Sequence, residues 1–183
     1  MSLIADVREI VKGFVGQIRA QEQRMQEHEK ERENWSDTRF REVKEQLEAD
    51  MRDIQFACEK AVKERVEQYK TEVFKADTLD GSKLTDDATL LSGEFLLSAS
   101  DLDAMLDRSA GNRTMEKLIH NYAAERNMGL SRSFFTAEQK ATAAAEFMTA
   151  YARNVCARPE YYDDIWSTDE YFEEATPEAL RNE

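Results

Sequence analysis

The stretch EKERENWSDTRFREVKEQL, from Glu29 to Leu47, decides whether the N-terminal part of the chain is one long rod or a folded-back pair of helices. Apolar residues at helical spacing precede it, and a second such run follows it. The step from Trp35 to Phe40 fits neither a heptad nor an eleven-residue pattern. Ser36 is a suitable helix N-cap, and Trp35 and Phe40 flank it at the spacing of a hydrophobic staple. We therefore predict a turn near residues 34–36, which Asn34 would open in the left-handed region, and an antiparallel helix pair; the alternative is one continuous helix of about 110 Å.

The two flanking runs have different periods. The first follows a heptad and becomes mostly polar beyond Ile18, so that His28 is expected to be at least partly solvated. The second repeats every eleven residues, which gives a nearly straight apolar stripe. We predict that the apolar positions form a seam that serves self-association or the core: Ile4, Val7, Val11, Phe14, Phe40, Val43, Leu47, Met51 and Ile54.

Shorter helices are predicted after Phe74. Ser100 is the expected cap of the helix that carries Leu102, and Asn112 or Thr114 starts the next one, which ends before Gly129. Thr136 and Gln139 form a capping box that opens a long alanine-rich helix, which ends near Ala157, before Pro159. The sequence thus predicts an all-α fold in three segments: a coiled-coil-like helical hairpin (1–76), a small helical domain (77–158) and an acidic aromatic tail (159–183).

The charge distribution restricts the possible partners. The net charge is −13, of which −2 lies in residues 1–76 and −11 in the remainder. Such a surface repels phosphate backbones, so we expect no direct nucleic-acid partner. No apolar run is long enough to span a membrane, and a cytoplasmic location is expected. Because the long helices have narrow apolar faces, we also expect either self-association into a homo-oligomer or docking of these helices on the small domain.

The tail EYYDDIWSTDEYFEEATPEALRNE interleaves acidic and aromatic residues and carries a net charge of −8. A purely solvated tail needs few aromatic side chains. The segment therefore either folds back onto the helices or docks on a basic protein surface. The candidate docking residues are Tyr161, Tyr162, Ile165, Trp166, Tyr171 and Phe172.

No recognisable catalytic or metal-binding pattern is present in the sequence. His28 and His120 lack a histidine or cysteine partner at metal-ligand spacing, and His120 is expected to be a half-exposed packing residue. Cys58 and Cys156 lie in apolar helical patterns and are expected to be reduced, packed thiols. We therefore expect no catalytic residue, no cofactor and no metal, and a protein that is not an enzyme.

Residues 88–128, ATLLSGEFLLSASDLDAMLDRSAGNRTMEKLIHNYAAERNM, resemble a module in small proteins of tailed phages and prophages. The matching features are LL-S-G, then LSA-x-D-L, then N-x-T-M, and an amphipathic helix that ends in YA. A charged helical segment precedes the module in such proteins, as residues 3–76 do here. The resemblance implies a structural role in virion or head assembly, with location in the bacterial host cytoplasm or the virion, and transfers no catalytic residue.

Two hypotheses follow from these features. The first is a non-catalytic structural or assembly protein, scaffold-like or accessory, that acts through helical protein–protein contacts. The alternative is an acidic regulatory or inhibitor module that mimics nucleic acid and occupies a basic groove. An enzyme is disfavoured because the motifs that support one are missing from the sequence.

Overall fold

The computed structural model describes residues 2–92, 95–160 and 162–181, and only the backbone of Asp164. The described chain is all-α, as predicted, and no strand occurs in it. Its helices are α1 (Leu3–Lys30), α2 (Asp37–Ala76), α3 (Asp87–Ser92), α4 (Ala99–Arg108), α5 (Arg113–Glu125), α6 (Ala137–Ala157) and α7 (Asp169–Ala175). Short 3₁₀ turns, and a π-turn at Tyr162–Trp166, lie between or after them.

The predicted turn separates α1 from α2. The Ser36 hydroxyl accepts a hydrogen bond from the Arg39 amide (3.4 Å), as an N-cap does. The two helices then run antiparallel, since the Gln21 side chain donates to the Leu47 carbonyl (2.8 Å). The continuous rod is thereby excluded. Asn34 does not take the predicted left-handed conformation, because α1 ends at Lys30 and a 3₁₀ turn over Arg32–Asn34 follows.

The imidazole ring of His28 packs on the inner side of this turn. It stacks on Phe40 at 4.3 Å and meets Trp35 edge-on at 5.5 Å, while its Nε2 lies 3.0 Å from the Phe40 carbonyl. His28 is buried, so the prediction of a solvated side chain is wrong. The imidazole thus lies between the two staple residues, Trp35 and Phe40. The charged residues around His28 in the sequence do not indicate this buried position.

Local capping sets the other helix ends. The Thr136 and Gln139 box forms in both directions, at 2.9 and 3.2 Å, as predicted. Ser98, rather than Ser100, caps α4 through a reciprocal box with Asp101. Asn127 ends α5 at a φ of 53°, in a Schellman arrangement that does not need Gly129.

The chain forms two compact units, which differ from the three predicted segments. Unit 1 contains the residues up to Tyr69 and those from Ala141 onward, and unit 2 is Lys70–Lys140. The alanine-rich α6 therefore belongs mainly with the hairpin and not with the small domain. The tail is part of unit 1 as well. Contacts with the hairpin account for this: the Gln55 amide of α2 donates to the Cys156 carbonyl of α6 at 3.1 Å, and Ala144 and Ala152 of α6 are buried.

The buried seam of the hairpin is shifted from the predicted one. On α1 the fully buried apolar residues are Leu3, Val7, Val11, Val15 and Ile18. Ile4 and Phe14 are only half-buried, because a four-residue spacing continues where the heptad alternates three and four. On α2, Phe40 is buried, whereas the rest of its predicted seam is half-buried: Val43, Leu47, Met51 and Ile54.

Unit 2 has its own small core. Buried residues of α4 and α5 meet in it, with Leu102, Met105, Ile119 and Tyr122 at the centre. A half-buried ion cluster joins the end of α2 to α5: Asp77 accepts from Lys117 (2.8 Å) and from Arg113 (3.1 Å). Burial favours a raised pKa for Asp77, but the hydrogen bond and charge of Lys117, followed by those of Arg113, outweigh it and leave the pKa lowered.

None of the helices in the described part of the chain combines the length and the apolar character that crossing a lipid bilayer requires.

Candidate interaction surface

The C-terminal segment folds back within unit 1 through its aromatic residues. Phe172 of α7 is almost completely buried and packs edge-on against Tyr151 (5.0 Å) and Phe147 (5.5 Å) of α6. Trp166 contacts Tyr151 at 5.2 Å and Tyr171 at 5.3 Å. These contacts form one connected aromatic cluster. The cluster gives the segment a fixed place on α6, as expected for large rings with edge-to-face geometry.

Two arginines of α1 bind the same segment. Arg8 donates to the Asp169 carboxylate (2.6 Å) and the Ser167 carbonyl (2.9 Å), and its guanidinium lies 5.1 Å from the Phe172 ring centre. Arg19 donates to the Pro159 carbonyl and the Asp163 carboxylate, both at 2.9 Å. Two of these four hydrogen bonds reach backbone carbonyls. The arginines therefore hold the backbone of the segment in place, in addition to pairing with its carboxylates.

The outer side of the folded-back segment is acidic. Asp163, Asp169, Glu170, Glu173 and Glu174 are exposed there, and we call them the acidic face. The three glutamates form no ion pair with another described residue. Asp163 and Asp169 stay 65% and 79% exposed even though they pair with arginines. The face therefore presents fixed negative charge on an ordered scaffold.

The predicted docking residues separate into two groups. Tyr162 and Phe172 are buried, so they anchor the segment and cannot dock a partner in this state; their assignment as docking residues is wrong. Ile165 and Trp166 are half-exposed, and Tyr171 is exposed, beside the acidic face. Tyr161 lies outside the described residues. Of the two alternatives for the tail, fold-back is the one observed.

Burial changes the acidity of the two tyrosines under this segment. It raises the pKa of Tyr162, and it raises that of Tyr151 further, with a contribution from nearby Tyr162. The Tyr151 hydroxyl has no hydrogen-bond partner among the described residues. Both side chains therefore stay neutral and serve packing, which fits an anchoring role under the segment.

Sequence reasoning does not identify Arg8, Arg19 or Tyr151 as part of this surface. A usable signal was present, because Arg8, Lys12 and Arg19 lie on one side of α1 and form a basic stripe opposite a strongly acidic tail. Arg8 and Lys12 also line a cleft of about 470 Å³, together with Tyr162 and Asp163 of the folded segment. The sequence thus indicates that α1 and the tail carry opposite charges, but it does not indicate which arginine pairs with which carboxylate.

A second surface lies on the hairpin. Val43, Leu47, Met51 and Ile54 are half-buried along one side of α2, and we call them the α2 row. At Leu47 the row borders a cleft of about 250 Å³ that Met25 and His28 also line. The first half of α2 thus keeps accessible apolar area that α1 covers only in part. Such area is available for another helix.

No group of three or more histidine, cysteine or acidic side chains that could hold a metal ion occurs among the described residues. The acidic face and the α2 row instead offer charge and apolar area, which suit macromolecular contacts. Comparison of the chain with protein-family models, with curated proteins and with solved structures found no match.

Proposed function

We propose that this protein is a non-catalytic helical interaction protein, of structural or assembly type, that belongs to a tailed phage or prophage. The acidic face binds a basic protein surface, and the α2 row joins copies of the chain. The protein acts in the bacterial host cytoplasm or in the virion. The observation that carries the proposal is the anchored acidic face: five exposed carboxylates on a segment fixed by Arg8, Arg19 and a buried Phe172.

The reason for favouring a protein partner is the mixed chemistry beside the carboxylates. Tyr171 is exposed, and Ile165 and Trp166 are half-exposed, so the charged residues have apolar and aromatic neighbours. Aromatic side chains with charged surroundings are typical of protein interfaces. The phage or prophage setting rests on the resemblance of residues 88–128 alone.

The acidic face can be tested by charge reversal. The triple variant E170K/E173K/E174K inverts three of its charges and leaves the anchors Arg8 and Phe172 unchanged. The matched control is E33K/E45K/D53K, which reverses three exposed acids of the hairpin. Each immobilised protein is exposed to lysate of phage-carrying cells, and retained proteins are eluted with a salt gradient.

Retention of one basic protein by the wild type and the control, but not by the triple variant, is the expected result, with elution at moderate salt. Equal retention by the triple variant, or elution that salt does not affect, would contradict the role of the acidic face. If nucleic acid displaces the chain from a nucleic-acid-binding partner, the alternative of a regulatory mimic replaces the assembly role.

The α2 row is tested separately by light scattering. We expect the wild type to form a dimer or larger species, and L47S/M51S to shift it toward the monomer without changing its helix content. A wild type that stays monomeric at all concentrations would remove self-association from the proposal and leave the acidic face untouched.

A further inference from the structure

The two cysteines of the chain meet in the core of unit 1. Cys58 lies in the middle of α2 and Cys156 in the last turn of α6. The adjacent ion pair of Glu59 and Arg153 (3.7 Å) places them at the same level of the two helices, and each thiol shifts the pKa of the other. Both side chains are buried and unbridged. The helices are held at this level by the Gln55 side chain, which donates to the Cys156 carbonyl at 3.1 Å. Buried thiols at the same level of two neighbouring helices are candidates for a disulfide.

We propose that Cys58 and Cys156 are an oxidation site, at which exchange with a low-molecular-weight disulfide such as oxidised glutathione forms an intramolecular disulfide between α2 and α6. The Cys156 thiolate attacks one sulfur of the small disulfide, and one small thiolate leaves. Cys58 then gives up its proton and attacks the Cys156 sulfur, which displaces the second small thiolate. One small disulfide is consumed, and two small thiols are released.

Position and exposure make Cys156 the entry point. Cys156 lies in the last turn of α6 and is 4% exposed, whereas Cys58 lies mid-helix and is 0% exposed, so a smaller local opening brings Cys156 to solvent. The contact with Cys156, together with burial, raises the pKa of Cys58, which disfavours Cys58 as the first thiolate. Cys156 is therefore the first thiolate, and Cys58 resolves the mixed disulfide.

The bridge would have a large effect on the unfolded chain. It would close a loop that contains residues 58–156, and with them the whole of Lys70–Lys140. A loop of this length removes much conformational freedom from the unfolded state, so the oxidised protein should melt higher by roughly 10 °C. The inference does not depend on the proposed function, because it concerns only unit 1 and its two thiols.

The test uses the full reduced chain in a series of glutathione redox buffers. Intact mass should show the loss of two hydrogen atoms, and a non-reducing peptide map should join the peptides of Cys58 and Cys156. The melting temperature should rise in step with that mass change and return with a reducing agent. The single variants C58S and C156S serve as controls, and C58S, which keeps the cysteine near the helix end, should take up one glutathione roughly tenfold faster than C156S.

Several results would overturn the inference. Two free thiols after full equilibration with oxidised glutathione would show that the pair is closed to exchange. Glutathione on both cysteines, or a bridge between two chains, would show that the contact does not support an internal bond. An oxidised protein that melts lower than the reduced one would show that the bond strains the helices instead of constraining the unfolded chain.

Discussion

The guanidinium of Arg8 lies 2.6 Å from the carboxylate of Asp169, although 161 positions separate the two residues. The same guanidinium donates to the Ser167 carbonyl and covers the ring of Phe172. The Arg8 side chain thus contacts a carboxylate, a backbone carbonyl and the buried aromatic ring of the C-terminal segment. The ion pair itself contributes little, because Asp169 is largely exposed, so the backbone and ring contacts matter more.

Replacing Arg8 by alanine should loosen the C-terminal segment. We expect R8A to lose about 1–2 kcal/mol of unfolding free energy, since a charged hydrogen bond to the backbone and a cation–π contact disappear together. Hydrogen exchange of the amides in 162–181 should accelerate, while amides in 100–125 stay unchanged. D169N removes only the exposed ion pair and should have a smaller effect. Unchanged exchange in R8A would show that the aromatic cluster alone anchors the segment.

The hairpin turn should depend on the cap at Ser36. S36A loses the hydroxyl that accepts from the Arg39 amide and should cost about 1 kcal/mol in denaturant unfolding. S36D restores an acceptor at the start of α2, where negative charge also suits the helix dipole, and should recover that loss. If S36A is as stable as the wild type, the packing of His28 between Trp35 and Phe40 defines the turn without the cap.

Acid sensitivity should be traceable to Asp77. Its pKa is lowered in the folded state, so its stabilisation is present above the unfolded value of about 3.9 and is lost as the pH falls through the lower folded value. D77N should be about 1–3 kcal/mol less stable than the wild type at pH 7, because Lys117 and Arg113 lose a half-buried carboxylate. The difference should shrink as the pH falls below about 4.

Denaturant unfolding of both proteins between pH 7 and pH 2 measures this effect. D86N, which neutralises an exposed carboxylate of the same unit, is the control and should follow the wild type. A gap between D77N and the wild type that stays constant over the whole pH range would rule out titration of Asp77 as its source.

Two glycines of unit 2 should respond differently to alanine. Gly111 has a φ of 80°, in the left-handed region that a Cβ disfavours, whereas Gly129 does not. Neither position has an atom within 4 Å of an added Cβ. G111A should therefore lose about 1 kcal/mol through its backbone alone, while G129A should be neutral or stabilising by up to about 1 kcal/mol. Thermal melts of the two variants decide the matter, and equal melting temperatures would contradict the backbone argument.

Features that depend on residues a few positions apart were predictable. The turn at Ser36, the box at Thr136 and Gln139 and the all-α class follow from local hydrogen bonds and from helical periodicity. The choice of Ser98 over Ser100 does not follow from such rules, because each serine has an aspartate three residues later; Asp101 completes the box with Ser98, whereas Asp103 accepts from Ser131. Local rules thus fix the existence of a helix better than its first residue.

The candidate surface shows the limit of such rules. The sequence shows that the tail is acidic and aromatic, but it does not show which rings are buried. Phe172 is buried, whereas its neighbour Tyr171 is exposed. That choice depends on Tyr151 and Arg8, which lie elsewhere in the chain. In the same way, Val15 replaces Phe14 in the seam because packing within the unit selects between adjacent apolar residues.

The sequence by itself determined the helices, the fold-back of the hairpin and the excess of negative charge at the C-terminal end. The tertiary structure alone decided that α6 joins the hairpin, that Cys58 meets Cys156, and that the tail lies on α1 and α6 with its carboxylates outward. The physical reason is the distance in sequence over which each interaction acts. Caps and turns are satisfied within a few residues, whereas burial pairs surfaces that are distant in sequence, and several pairings satisfy the same apolar pattern until packing selects one.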